Sequence, residues 1–136
     1  MKKLSVIMPT LNRHTHLESV FKFYERWEDV ELICVDGSEK AFPKNTPDNV
    51  VYISIPSTSF QYRWIQGMYE SRGKYLTYMP DDDYPNLRWM LESCKDLNSD
   101  IIFQGDICVF DKTKKIKLRR KKKVGKRKTG EAKTIE

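Results

Sequence analysis

Three consecutive carboxylates, Asp81-Asp82-Asp83, are the residues of this chain with the most chemistry to offer. Like charges side by side repel, a cost that solvent, a basic partner or a cation offsets. Carboxylate oxygens with room for water and phosphate suit a hard octahedral ion such as Mg²⁺ or Mn²⁺. Such an ion would neutralise a diphosphate and assist its departure as a leaving group. The triplet also reads as a solvated acidic turn, with Asp83 or Asn86 capping a helix that begins near Leu87. Asp36-Gly37-Ser38 is either plain strand-to-turn punctuation or a contact to a nucleobase edge, with Gly37 admitting a close backbone approach. Asn12 and Arg13 serve either as a helix cap with a solvated neighbour or as part of a helix start that meets an anion. Arg63 is either a phosphate clamp or a surface charge. His14 and His16 lie two apart, point to different faces of a helix start and make a poor metal pair, so solvent-exposed or capping roles are expected.

The elements that must position these residues follow from apolar spacing. Leu4 to Met8 is a short apolar run ended by Pro9, a buried first strand. From Leu17 the positions Val20, Phe21 and Tyr24 form a helical stripe that Trp27 continues. Glu31 to Val35 is a second strand, stopped by Asp36-Gly37-Ser38, and a loop punctuated by Pro43, Pro47 and Asn49 follows. Val50 to Ile55 reads as strand, Phe60, Trp64 and Met68 as a helix to about Ser71, and Lys74 to Met79 as strand. Leu87, Met90, Leu91, Cys94 and Leu97 make another helical stripe, and Ile101 to Phe110 returns to strand. Strands alternating with helices at this spacing indicate an α/β sandwich around a mostly parallel sheet. Ligands of such sheets bind beyond the carboxyl ends of the strands, where the clusters at residues 9–13, 36–38 and 81–83 all fall.

Composition narrows the class. The 136 residues carry a net charge of +6, with 39% hydrophobic and 12% aromatic content, too apolar for a disordered chain. The charge is unevenly spread: residues 111–136 hold 13 basic and 3 acidic residues, whereas residues 1–110 hold 12 basic and 16 acidic ones. The chain therefore reads as a mildly acidic body of 1–110 with a basic tail of 111–136. No apolar run reaches the roughly 18 to 20 residues of a membrane span, and the N-terminus does not read as a secretory signal, so a cytoplasmic protein is expected. Cys34, Cys94 and Cys108 fit neither a disulfide framework nor a zinc site, and Cys34 and Cys94 are expected as buried core thiols.

In order, the blocks VIMPTLNRHTHLESVFKFY, ELICVDGSEK, GKYLTYMPDDDYPN and IIFQGDICVF resemble the nucleotide-binding half of a GT-A fold glycosyltransferase of the large inverting family 2 type. The likeness is to a bacterial subgroup with DGS and DDD motifs, and it runs from about Leu4 to Phe110. It implies a Rossmann-like fold, a nucleotide diphosphate sugar as donor, a UDP-sugar foremost, and a role in cell-surface polysaccharide synthesis. By position it implies that Pro9, Thr10, Asn12 and Arg13 line the pocket for base and ribose, that Asp36, with Gly37 and Ser38, contacts the base, and that Arg63 lies near the diphosphate. The triplet becomes the DxD element, with Asp81 and Asp83 as metal ligands for Mn²⁺ or Mg²⁺ and Asp81 and Asp82 nearer the nucleotide.

Family enzymes continue into an acceptor-binding half that supplies a carboxylate base, whereas here a lysine-rich run follows Phe110. The resemblance thus implies a donor-binding half without its acceptor half, truncated or served by a partner. In the tail, Ile116 and Leu118 suggest a short strand pairing back on Ile107 to Phe110, with disorder beyond Arg119. The tail reads as a solvated end, or as an attachment to an anionic membrane surface at about 1 kcal/mol per basic residue. Nucleic-acid binding through counterion release has less support, since no aromatic residue lies between Thr113 and Lys128 to stack on bases. The competing functional class is a non-catalytic module of this fold that holds an anionic polymer or membrane through the tail.

Overall fold

The computed structural model describes residues 2–95, 101–103, 107–110, 116–120 and 125–127. It divides into two compact units, Met1–Glu92 and Ser93–Glu136, so the division falls well before the residue-110 boundary drawn from charge and resemblance.

The first unit runs β1 (Leu4–Thr10), α1 (His14–Glu25), β2 (Val30–Asp36), β3 (Val50–Ser54), α2 (Phe60–Glu70), β4 (Tyr75–Tyr78) and α3 (Leu87–Ser93), the last reaching the division. The four strands form one parallel sheet in the order β3-β2-β1-β4, flanked by helices, a Rossmann-like α/β arrangement. β1 and β2 are buried along their whole length, as strands covered on both faces must be. The polar residues they bury find partners: the Ser5 hydroxyl donates to Glu31 Oε1 at 2.5 Å, which also accepts the backbone N–H of Arg72.

β1 runs two residues past its expected end at Met8, through Pro9 to Thr10. Ile7 turns its carbonyl towards β4, where it accepts the Met79 N–H, and Pro9, two residues on, faces the same side beyond the last β1–β4 pair, Ile7 with Tyr78. A residue without an N–H therefore breaks no ladder bond there.

α1 buries Leu17, Val20, Phe21 and Tyr24, the expected stripe, but ends at Glu25, leaving Trp27 in the following turn. α2 packs against β1 and β2. Its Ser59 cap accepts the Tyr62 N–H, and its buried face is Arg63 and Gly67, while Phe60 and Met68 of the apolar stripe stay exposed. Gly67 is what brings α2 so close: a Cβ there would stand 2.3 Å from Ile7 Cγ2. Asn86, not Asp83, caps α3 by accepting the Trp89 N–H at 3.1 Å. Cys34 and Cys94 are buried and in no disulfide, and burial pushes the Cys34 thiol upward.

In the second unit the expected single strand from Ile101 to Phe110 is two: β5 (Ile101–Phe103) and β6 (Ile107–Phe110). β6 pairs antiparallel with β7 (Ile116–Arg120), and β5 with β8 (Gly125–Arg127), a strand lying where disorder was expected. The expected buried stripe at Leu97, the side chain of Cys108 and the remaining tail residues lie outside the described residues.

Candidate functional site

Parallel pairing of β1 with β2 sets Thr10 beside Asp36, so both strands end at the same edge. The Gly37 N–H then donates to the Thr10 carbonyl, tying the two strand-end loops together. Asn12 turns the chain from β1 into α1 with a left-handed φ of 55°, which asparagine tolerates, and its N–H donates to Ser38 Oγ at 2.8 Å. Neither it nor Arg13 caps α1 with its side chain: Arg13 stands at the N-cap position without a side-chain bond to the backbone.

Asp36 is the centre of this edge. Its Oδ1 accepts the Ser38 N–H at 2.8 Å and the Ser38 hydroxyl at 2.5 Å. Its Oδ2 accepts the Tyr52 hydroxyl at 2.5 Å and meets His14 Nε2 at 2.8 Å. Burial pushes this carboxyl upward, but the hydrogen bonds from Ser38, Tyr52 and His14 outweigh it and hold the group below its ordinary value. Tyr52 is pushed the other way, by burial and by the carboxylate it faces, so it remains a neutral donor.

His14 and Tyr52 carried no motif in the sequence. The chain places His14 on the first turn of α1, edge-on to Phe42, with 27% of its side chain exposed, so the solvent-exposed or capping role is replaced by a bond to a buried carboxylate. His16 likewise is engaged, its Nε2 lying 2.5 Å from the Asp81 carbonyl oxygen.

The third cluster joins the edge through Asp81. The Thr10 hydroxyl donates to Asp81 Oδ2 at 2.8 Å, with Arg13 Nε 4.0 Å from the same oxygen. Asp82 and Asp83 are exposed, and neither carboxylate bonds to the described protein. Their field reaches the neighbouring Tyr78, which is pushed upward by burial and then by Asp81, Asp82 and Asp83. Among the described residues no group of three His, Cys, Asp or Glu side chains converges as a self-sufficient metal site. What the triplet offers is two carboxylates unengaged among the described residues, with Asp81 half committed to Thr10.

Arg63 is not a surface charge. It is 6% exposed, it donates from Nη1 to the Thr58 carbonyl, and its Nε finds no partner among the described residues. Its guanidinium lies against Gly37, behind an open cleft of about 610 Å³ lined by Leu11, Asn12, His14, Gly37, Ser38 and Ser57 among others. Ser57 has a φ of 60°, so both described non-glycine residues with left-handed backbone line this one cleft.

No family model matches the chain, and no curated protein matches it. Among solved structures it is similar to the crystal structure of S. aureus TarS 1-349, at 20% sequence identity and a TM-score of 0.49, over 68% of this chain. The chain spans 31% of the length of that protein.

Proposed function

We propose that the chain holds the donor in a glycosyl transfer: a nucleotide sugar, a uridine diphosphate sugar foremost, whose sugar passes with inversion to an acceptor hydroxyl as the nucleoside diphosphate leaves, in the building of a cell-surface polysaccharide. One observation carries this reading. The three polar clusters at the strand ends are a single bonded edge, Asp36 to Ser38 to Asn12 on one side and Thr10 to Asp81 on the other, beside an open cleft. An edge of this kind beyond the carboxyl ends of parallel strands is where α/β sheets take nucleotides. The order of the sequence blocks, and their resemblance to family 2 transferases, supplies the reaction class.

In this reading Pro9, Thr10, Asn12 and Arg13 border the base and ribose, and Gly37 and Ser38 form the floor under the base. Arg63 sits behind Gly37 as the positive charge nearest the diphosphate. Asp83, without a donor among the described residues, is the foremost ligand for a divalent ion, with Asp81 as its partner and Asp82 alongside. The ion would neutralise the diphosphate as it leaves. The chain's own residues orient the nucleotide, and Thr10 and Arg13 hold Asp81 in place for either role. The basic tail would keep the protein at the inner face of an anionic membrane.

Isothermal titration of UDP with and without Mn²⁺ tests the proposal. Metal-dependent binding that Asp83→Ala weakens at least tenfold is expected; no binding in wild type, or full binding by the variant, refutes it.

A further inference from the structure

A nucleotide in this cleft meets a problem at the base end. Asp36, the carboxylate that resemblance assigns to the base, has no free lone pair direction to give: it accepts four hydrogen bonds and its side chain is 1% exposed. What reaches the cleft instead is the group that Asp36 holds. His14 lines the cleft, and among the described residues its second ring nitrogen, Nδ1, has no hydrogen-bond partner.

We infer that His14 reads the base edge, and that Asp36 fixes its tautomer so that the cleft selects a base with a ring N–H over one with a bare ring nitrogen. The inference rests on the nucleotide reading above and deepens it. Asp36 is an acceptor only, held ionised by its donors, so the Nε2 of His14 must carry the hydrogen that lies between them. In a neutral imidazole that leaves Nδ1 as an acceptor. An acceptor at the base edge pairs with the ring N–H of uracil, thymine or guanine. It opposes the bare ring nitrogen of cytosine or adenine, where two lone pairs would face each other. Tyr52 strengthens the arrangement, because its one hydroxyl hydrogen goes to the same Oδ2 while its oxygen accepts the Phe42 N–H. The surroundings are built rather than incidental: Phe42 packs edge-on to the imidazole, and the cleft walls at Asn12 and Ser57 are held in left-handed backbone.

UDP and CDP, equal in size and different at this edge, are the probes, titrated against the intact chain with Mn²⁺ present. Wild type is expected to prefer UDP by about tenfold, the ratio one hydrogen bond of ordinary strength gives. His14→Ala should bring the two affinities to within about threefold of each other, chiefly by loss of UDP affinity. Asp36→Asn is the sharper arm. Its amide can donate to Nε2, moving the hydrogen to Nδ1, and the preference should shrink or turn towards CDP, a change that loss of packing does not produce. Circular dichroism checks that each variant is folded, and if Asp36→Asn does not fold, His14→Ala decides alone. Equal affinities in wild type, or an undiminished UDP preference in His14→Ala, overturns the inference while leaving nucleotide binding intact. Absence of any binding by wild type overturns the nucleotide reading and this inference with it.

Discussion

Gly37 and Arg63 are in contact so close that a Cβ on the glycine would stand 2.5 Å from Nη1 and 3.0 Å from Cζ of the arginine. The guanidinium cannot simply swing away, because it is buried and its Nη1 is bonded to the Thr58 carbonyl. Gly37→Ala should therefore cost about 1–3 kcal/mol of stability through overpacking. The contrasting variant is Arg63→Met, which keeps an apolar stem and removes a buried charge with no carboxylate partner among the described residues. It should leave thermal stability unchanged or raise it, while weakening UDP binding about tenfold in titration. Loss of stability with binding intact would show that the arginine serves the fold rather than a phosphate.

Asp36 sets an acid limit. Its carboxyl lies below the ordinary value in the folded chain, so it stays ionised in the native state at a pH where the unfolded chain has begun to bind a proton. Its contribution is thus fully present above the ordinary carboxylate value of about 3.9, and is lost as pH falls through the lower folded value. Tyr52→Phe removes one donor to this charge. Urea denaturation at pH 7 should show a loss of about 1.5–3 kcal/mol, and the acid-unfolding midpoint should move to higher pH.

Gly67→Ala should push α2 off the sheet, since its Cβ would meet Ile7 Cγ2 at 2.3 Å and Val35 Cγ2 at 3.4 Å. About 1–3 kcal/mol of destabilisation is expected. Combining it with Ile7→Ala should cost less than the two single changes added together, and strict additivity in denaturant melts would argue that the helix does not rest on this contact.

Ser57 holds a left-handed φ of 60° without being glycine or asparagine. Ser57→Gly should relieve about 1 kcal/mol of strain and raise the melting temperature, whereas Asn12→Gly, at a residue that accepts this conformation readily, should change it little. A melting temperature that falls in Ser57→Gly would mean that the serine side chain outweighs the strain.

The sheet was legible because β1 and β2 are largely apolar runs and their ends carry turn residues at regular distance. The positions of the three polar clusters at one edge followed from strand polarity alone. What the chain did not advertise were contacts made across the edge. His14 and Asp36 are 22 residues apart and meet only because Thr10 and Asp36 pair in register and α1 starts four residues after β1 ends. No periodicity encodes that. Arg63 was left open between phosphate clamp and surface charge for a different reason: a helical arginine is usually outside, and its burial depends on the absence of a side chain at Gly37, a partner 26 positions away. The stop expected at Pro9 failed because proline interrupts a strand only where its missing N–H would have faced a neighbour.

The chain has only two histidines, and each touches a different end of the candidate site: His14 through the Asp36 carboxylate, His16 through the Asp81 carbonyl. A protein so arranged carries its own pair of spectroscopic reporters. Two imidazole resonances, with no others to crowd them, would register occupancy at the base end and at the acidic triplet separately in one nuclear magnetic resonance titration. The order in which they respond would give the order in which a ligand's two ends take their places.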